Sequence, residues 1–235
     1  MVAKKRFYDS VEVGTNDDGY SVQLDGREVR SPAGSLLHLP KFALATAIAH
    51  EWRVQGDKIE LASMPLFSLA VTVVDRVTPQ RDVIIAELSA YGGNDLLCYR
   101  DDQDDLASHQ QEHWQPWLDR LAKNWGIALQ IVTGVMPISQ PDAVKFPTLI
   151  SGYDDWRLGM LHRATSLSGS LVLGLGFVDA VIDDEKIFTL AFLDELWQNE
   201  KWGTDFEATD RHGFLRNELQ DVSRFLALLG DTALA

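Results

Sequence analysis

Residues 20–30, YSVQLDGREVR, place a two-residue turn between two runs in which apolar and polar residues alternate. The apolar residues of the first run fall on one face, which is the pattern of a half-buried strand. Asp25-Gly26 is a strong hairpin signal, because glycine accepts the positive φ that such turns require. With FYDSVEV (7–13) before it and LLHL (36–39) after it, the stretch predicts a β-meander of roughly four short strands.

The hydrophobic period changes after residue 40. Residues 42–56 carry apolar side chains four positions apart, which predicts an amphipathic helix that ends at Gly56. Most of the later sequence also has helical spacing. The chain is therefore predicted to be α+β: a small N-terminal β-meander or β-rich domain with one or two covering helices over residues 1–77, then a larger, mainly α-helical domain over residues 78–235.

Caps and breakers place several of the helices. Residues 63–77 can form a helix, although their β-branched content leaves a strand open. Thr78-Pro79 predicts the start of the next helix, since threonine caps and proline suits the first helical position. An apolar stripe over residues 106–125 predicts a further helix, which Pro116 kinks or splits.

The last part of the chain contains three kinds of sequence signal for helices. Glycines at 169, 174 and 176 lower helix propensity by up to about 1 kcal/mol each, which indicates close helix packing around them. Asp183 predicts the cap of one helix that runs to about Trp202. The sequence Thr204-x-x-Glu207 is a capping box that opens a long final helix.

Composition and charge exclude several classes of protein. Among the 235 residues, 46% are apolar and 24% charged, and a single cysteine, Cys98, excludes an internal disulfide framework and suits a reducing compartment. The N-terminus resembles no secretory signal, so a soluble cytoplasmic protein is expected. The net charge of −14 divides into −2 over residues 1–100 and −12 over 101–235. Such a surface disfavours nucleic acid, favours a partner with basic patches and a monomer when free, and also suits solubility alone.

His109-Gln-Gln-Glu112-His113 has the spacing of a zinc-protease motif, in which two histidines bind the metal and the glutamate activates water. If the apolar stripe from Leu106 to Leu121 is buried, Glu112 lies nearly opposite to it and His109 faces solvent. A catalytic zinc needs a third protein ligand in a cleft, and no further motif supplies one. The spacing therefore favours a polar helix face, and a zinc-dependent hydrolase remains as the alternative function.

No other motif predicts catalysis, a metal or a cofactor. His50-Glu51 lacks the second histidine of a zincin motif, because position 54 is valine. The glycines at 169–176 are followed by no Lys-Ser/Thr pair, so no nucleotide site is predicted. Cys98 lies in an apolar run and is interpreted as a buried structural thiol.

Residues 193–210, LDELWQNEKWGTDFEATD, gather six carboxylates around two tryptophans. Asp194 and Glu195 diverge by about 100° on a helix, so they cannot act jointly on one atom. Helical spacing places Trp197 toward the core, with Glu195 on another face. Three interpretations stay open: acid–base chemistry, a plain capped helix pair, and a recognition surface, which tryptophan favours because it is enriched at interface hot spots.

Six stretches, found in order along nearly the whole chain, resemble one known family. They are GYSVQLDGREVRSPAGSLLHLP, AIAHEWRVQGDKIELASMPL, LAVTVVDRV, YGGNDLLCYR, GSLVLGLG and LDELWQNEKWGTD. The family is that of the assembly chaperones that escort the alpha subunit of the F-type ATP synthase catalytic sector. The resemblance implies a bacterial, non-enzymatic chaperone that binds the unassembled alpha subunit, shields its subunit interface and releases it to the beta subunit without nucleotide hydrolysis.

The resemblance also implies site residues. The EW pair carries over to Glu51 and Trp52, and we expect Trp52 to pack the first helix on the sheet; Trp197 is also assigned a structural role. Glu195 is expected to be the central polar contact with the client. Asp205 also suits the start of the next helix, where its negative charge interacts favourably with the helix dipole. The predicted client-binding residues are Glu195, Asp194, Gln198, Trp202 and Asp205.

Overall fold

The structure is a computed structural model that describes residues 4–17, 19–203 and 206–230, without the side chains of residues 4, 16 and 206–209. Its contacts divide the chain into two units. One comprises the residues up to Arg81 with the segment from Arg224, and the other is Asp82–Ser223. The predicted domain boundary between residues 77 and 78 stays a prediction.

The first unit is built on an antiparallel sheet in the order β2-β3-β4. Asp25 and Gly26 have φ of 50° and 75°, as the predicted hairpin between β3 and β4 requires. LLHL forms single bridges, Tyr20 with Leu39 and Arg30 with Leu36, instead of a regular fourth strand. A separate pair, β1 with β5, was not predicted. The strands are β1 Lys4–Lys5, β2 Val11–Asn16, β3 Gly19–Leu24, β4 Arg27–Glu28 and β5 Lys58–Ile59.

Helix α1, Phe42–Arg53, packs its apolar face on β2 and β3. It ends at Arg53, three residues before the predicted Gly56, whose backbone does not adopt the left-handed conformation of a glycine cap. Trp52 is buried, and its ring contacts Tyr8 and Phe67 edge-on at centroid distances of 5.7 and 5.0 Å. The Tyr8 hydroxyl also donates to the Trp52 carbonyl at 2.6 Å. Trp52 therefore packs at the centre of an aromatic cluster.

A buried carboxylate caps helix α2, Pro65–Thr72. Glu51, only 4% exposed, accepts the backbone N–H of Leu66 on Oε1 and that of Phe67 on Oε2, both at 2.9 Å. These N–H groups lie in the first turn of the helix and have no partner within it. The ambiguity over residues 63–77 is resolved as helical, because α2 continues into a π-helical turn over Val73–Val77.

In the second unit, α4, Asp104–Trp125, runs through Pro116 as one helix, so of the two predicted outcomes the split is wrong and the kink stays a prediction. Its buried stripe includes the polar Gln110, while Trp117 and Trp125 are only half-buried. Strand β6, Tyr99–Arg100, precedes α4 in sequence and pairs in parallel with β7, Val132–Thr133, which follows it. These elements are α3 Arg81–Gly92, β6 Tyr99–Arg100, α4 Asp104–Trp125, β7 Val132–Thr133 and α5 Phe146–Ile150.

Helices α6, Asp155–Ser168, and α7, Leu171–Val178, pack closely, but only one of the three predicted glycines explains it. A Cβ on Gly174 would lie 2.6 Å from Oγ1 of Thr165 on α6. Gly169 instead ends α6 in the left-handed conformation, with φ 72°. The nearest atom to a Cβ on Gly176 would be at 3.5 Å, an ordinary contact.

A fully buried carboxylate joins the start of α7 to a 3₁₀ turn. Asp95 accepts the backbone N–H of Leu97 and Val172, both at 3.0 Å, and the Ser170 hydroxyl at 2.7 Å. Burial nevertheless raises the pKa of Asp95 to about 6. Cys98 nearby is buried as well, and burial raises its pKa to about 12, as for an inert structural thiol.

The predicted single helix from Asp183 to Trp202 is wrong, because the chain breaks at Phe192 into α8, Asp184–Ala191, and α9, Leu193–Trp202. Asp183 does cap α8, accepting the Lys186 N–H at 2.8 Å. The final helix is α10, Phe206–Leu229; its predicted capping box, Thr204 and Glu207, lies outside the described residues and side chains. Within the part of the chain that is described, no helix is long and apolar enough to cross a membrane.

Candidate functional site

Helix α9 has a buried start and an exposed end. Leu193 is buried, whereas Gln198 is exposed and the Trp202 side chain is 68% exposed. Trp197, predicted to face the core, is only half-buried: its ring contacts Trp202 edge-on at 6.0 Å and lies 3.8 Å below the Lys201 ammonium. The break at Phe192 changes the helix phase, so the buried face of α8 does not continue through Trp197.

Glu195 joins α9 to α10. Its carboxylate accepts Nη1 of Arg211 at 2.9 Å and Nε2 of His212 at 2.9 Å. Burial raises the pKa of Glu195, but the hydrogen bonds from His212 and Arg211 outweigh it, so the pKa lies below its ordinary 4.5. His212 is only 5% exposed and contacts the Phe188 ring edge-on. Glu195 therefore has a contact within the fold, and its predicted contact with the client stays a prediction.

Asp194 points toward α4 instead. Its Oδ1 accepts the Gln110 side-chain amide at 2.8 Å, and Gln110 in turn accepts the Asp101 backbone N–H. Burial raises the pKa of Asp194, against the Gln110 hydrogen bond and the nearby positive charge of Arg100. The two adjacent acids therefore serve different helix contacts, as their predicted 100° divergence requires.

Of the four predicted client-binding residues that the structure describes, two are exposed. Gln198 and Trp202 are exposed at the end of α9, and Asp205 lies outside the described residues. Gln110, Arg211 and His212 were missed by sequence reasoning. A usable signal existed for Gln110, since a polar residue on an otherwise apolar stripe requires a buried partner.

Ion pairs connect α10 to α8 and α6. Arg216 donates to both oxygens of Glu185 on α8, at 3.0 and 3.1 Å, and lies 3.9 Å from the Phe188 ring centre. Arg163 on α6 pairs with Glu218. A further ion pair joins Lys201 on α9 to Asp105 on α4 at 3.3 Å, and exposed pairs of this kind contribute little to stability.

The HQQEH motif occupies one turn of α4. Ligand atoms of His109, Glu112 and His113 lie within 4.8 Å of one another, and the two imidazole centres are 4.5 Å apart. Glu112 is exposed, as predicted, while both histidines are half-buried. Burial and the adjacent His109 lower the pKa of His113.

The fold is a small sheet followed by packed helices, and an exposed tryptophan lies on an acidic helix, as in a protein that binds other proteins. Comparisons with known proteins identify the class. The sequence model described as ATP12 chaperone protein matches residues 5–122. The crystal structure of Atp12 from Paracoccus denitrificans is similar with a TM-score of 0.91 and 37% identity, over 96% of this chain and 98% of that one.

Two further proteins are similar over most of their length. A structure from Agrobacterium tumefaciens has a TM-score of 0.89 and 32% identity, covering 96% of this chain and 86% of that one. The protein atp12, mitochondrial, of Schizosaccharomyces pombe is 23% identical over 240 residues, which are 96% of this chain and 81% of that protein. The chain therefore belongs to the ATP12 chaperone family, whose members are ATP synthase assembly factors. The predicted family and the α+β fold class are confirmed.

Proposed function

We propose that the protein binds the unassembled alpha subunit of the F-type ATP synthase catalytic sector and shields the surface that will face the beta subunit. It then releases the alpha subunit to the beta subunit without nucleotide hydrolysis. The observation that carries this proposal is the similarity to Paracoccus Atp12 over 96% of the chain. We further propose that it acts as a monomer in the bacterial cytoplasm, since a net charge of −14 opposes self-association.

The exposed end of α9 supports a client-binding role. Trp202 presents a large apolar side chain to solvent, and contact with Trp197 orients it. A tryptophan in such a position can anchor an interface, and the neighbouring Gln198 can donate and accept hydrogen bonds around it. We place the client contact at Trp202 and Gln198, with Asp194 and Glu195 holding α9 in position through their own helix contacts.

Charge supports a client patch that bears arginine and lysine. Residues 101–235 carry a balance of −12, against −2 for residues 1–100. Complementary charge of this kind raises the rate of encounter and favours a salt-sensitive, releasable complex. A client whose subunit interface is exposed would otherwise aggregate, because a large exposed apolar patch promotes association with other molecules.

Co-expression with the alpha subunit tests the proposal. The wild-type protein should raise the yield of soluble alpha subunit, and Trp202→Ala should weaken its binding by about 30-fold, corresponding to a hot-spot loss of about 2 kcal/mol. Phe42→Ala is the matched control, because Phe42 is 57% exposed and lies in the first unit. Unchanged binding by Trp202→Ala would refute the placement of the site, and no rise in soluble alpha subunit would refute the function.

Glu195→Lys is a poor test of the same site. The new ammonium would lie beside Arg211 and the nearly buried His212 in place of the carboxylate that pairs with them. We expect this variant to lose stability through like-charge repulsion, so a loss of client binding would not separate contact from folding.

A further inference from the structure

We propose that His109, Glu112 and His113 form a binding site for a divalent transition metal of the zinc class on the surface of α4. The site is non-catalytic in this proposal and does not rest on the proposed chaperone function. Two imidazole nitrogens and a carboxylate oxygen are a donor set that suits Zn²⁺, Ni²⁺ or Cu²⁺, whereas Mg²⁺ and Ca²⁺ prefer oxygen alone.

The geometry brings the three donors to one point. His109 and His113 are one helical turn apart, and Glu112 lies three residues after the first histidine, so all three side chains can turn toward a common ion. Their ligand atoms lie within 4.8 Å of one another. Nitrogens bound to one tetrahedral zinc are roughly 3.3 Å apart, given bonds of about 2.0–2.1 Å. The half-exposed side chains can close that difference by small rotamer changes.

Within the described part of the chain, the side chains of His109, Glu112 and His113 make no hydrogen bond. Among the described residues, the hydrogen bonds of this part of α4 are made by neighbours such as Gln110, with Asp194, and Trp114, with the Leu190 carbonyl. None of those bonds involves His109, Glu112 or His113. By contrast, His162 is paired with Glu87 and His212 with Glu195. The two side-by-side imidazoles have no hydrogen-bond partner among the residues that the structure describes, so they can bind an ion.

The surrounding charges permit a cation here. Asp194 on α9 lies close enough to His109 for their charges to interact, and Glu112 adds a second carboxylate. Lys186 on α8 opposes them through its charge near His113. A metal binds imidazole in its neutral form. Three ligands on an open helix face leave the remaining positions to water, so we expect affinity in the micromolar range.

Calorimetric titration of untagged protein with ZnCl₂ at pH 7.5 tests the site. One equivalent of Zn²⁺ should bind, while MgCl₂ should give no heat beyond dilution. His109→Ala and His113→Ala should each weaken Zn²⁺ binding by at least about tenfold, because each removes one of the three protein ligands. Glu112→Gln should weaken it less, since an amide oxygen can still coordinate. His50→Ala is the matched control, because His50 is an exposed histidine on α1.

Two outcomes would overturn the proposal: no binding at 100 μM Zn²⁺, on the order of ten times the expected Kd, or binding retained in the double variant His109→Ala/His113→Ala. Folding is checked by melting each variant without metal, where we expect the melting temperature of the wild type, since no hydrogen bond among the described residues is removed. Cu²⁺ electron paramagnetic resonance gives an independent readout. It should show two coordinated nitrogens in the wild type and one in either single variant.

Discussion

Replacing Glu51 with glutamine should destabilise the protein by removing half of the cap on α2. The Glu51 carboxylate accepts one backbone N–H on each oxygen, both at 2.9 Å, from Leu66 and Phe67. In Glu51→Gln one oxygen remains and an NH₂ group replaces the other, so one buried N–H loses its acceptor. The side chain is almost fully buried, so water cannot take the place of the lost oxygen.

The size of the loss follows from three contributions. A buried donor left without a partner costs about 1–3 kcal/mol, and the remaining bond loses its charge assistance, a further change of about 1 kcal/mol. Loss of the negative charge at the helix N-terminus adds about 0.3–1 kcal/mol. The neutral amide is easier to bury than a carboxylate, which offsets part of this. We therefore expect Glu51→Gln to lower the free energy of unfolding by about 2–4 kcal/mol.

Urea unfolding measured by circular dichroism checks this prediction. The midpoint should fall without a change in slope, and the amides of Leu66 and Phe67 should lose at least about tenfold of their protection from hydrogen exchange. Glu60→Gln is the matched control; this glutamate is exposed, so we expect a change within about 0.5 kcal/mol. A loss below about 0.5 kcal/mol for Glu51→Gln, or unchanged exchange at the two amides, would refute the capping role.

Three further predictions concern the second unit. Gly174→Ala should lower the free energy of unfolding in urea by about 1–3 kcal/mol, because its Cβ would lie 2.6 Å from Oγ1 of Thr165. Gly176→Ala, with its nearest contact at 3.5 Å, should be neutral or stabilising. Equal effects of the two variants would contradict this packing. Asp95→Asn should lose more stability at pH 5 than at pH 7. Burial raises the pKa of Asp95 from the ordinary 3.8 to about 6. The protonated carboxyl therefore stabilises the wild-type fold at low pH, and this contribution to the free energy of unfolding falls as pH rises toward 6. Glu195 behaves oppositely, since its pKa lies below the ordinary 4.5. Its contribution to the free energy of unfolding is present above pH 4.5 and is lost as pH falls. Glu195→Gln should therefore flatten the acid side of the curve of stability against pH, and an unchanged curve would contradict the ion pair with α10.

Local chemistry made much of the fold predictable from the sequence. Asp25-Gly26 defines its turn because the required positive φ is a property of the residues themselves. The pairing of Lys4–Lys5 with Lys58–Ile59 was missed, since two-residue strands carry no periodicity and their partners are far apart in sequence. The break at Phe192 was missed because neither glycine nor proline marks it.

The candidate site was only partly predictable for the same physical reason. Helix geometry alone separates Asp194 from Glu195, and that separation appears in the structure as contacts to two different helices. The partners themselves depend on tertiary packing, which places Gln110 and Arg211 beside these acids from distant positions. Glu51 is a similar case: an acid on the buried face of α1 signals a required partner, but not that the partner is a helix N-terminus.

An exchange experiment with purified subunits, followed by size-exclusion chromatography, tests whether the protein holds the alpha subunit until the beta subunit replaces it. The protein should form a one-to-one complex with the alpha subunit and none with the beta subunit alone. Adding beta subunit in the presence of a non-hydrolysable nucleotide should release the protein as the alpha–beta complex forms, because both compete for one surface. A protein that fails to bind the alpha subunit, or that stays bound within the alpha–beta complex, would contradict the account.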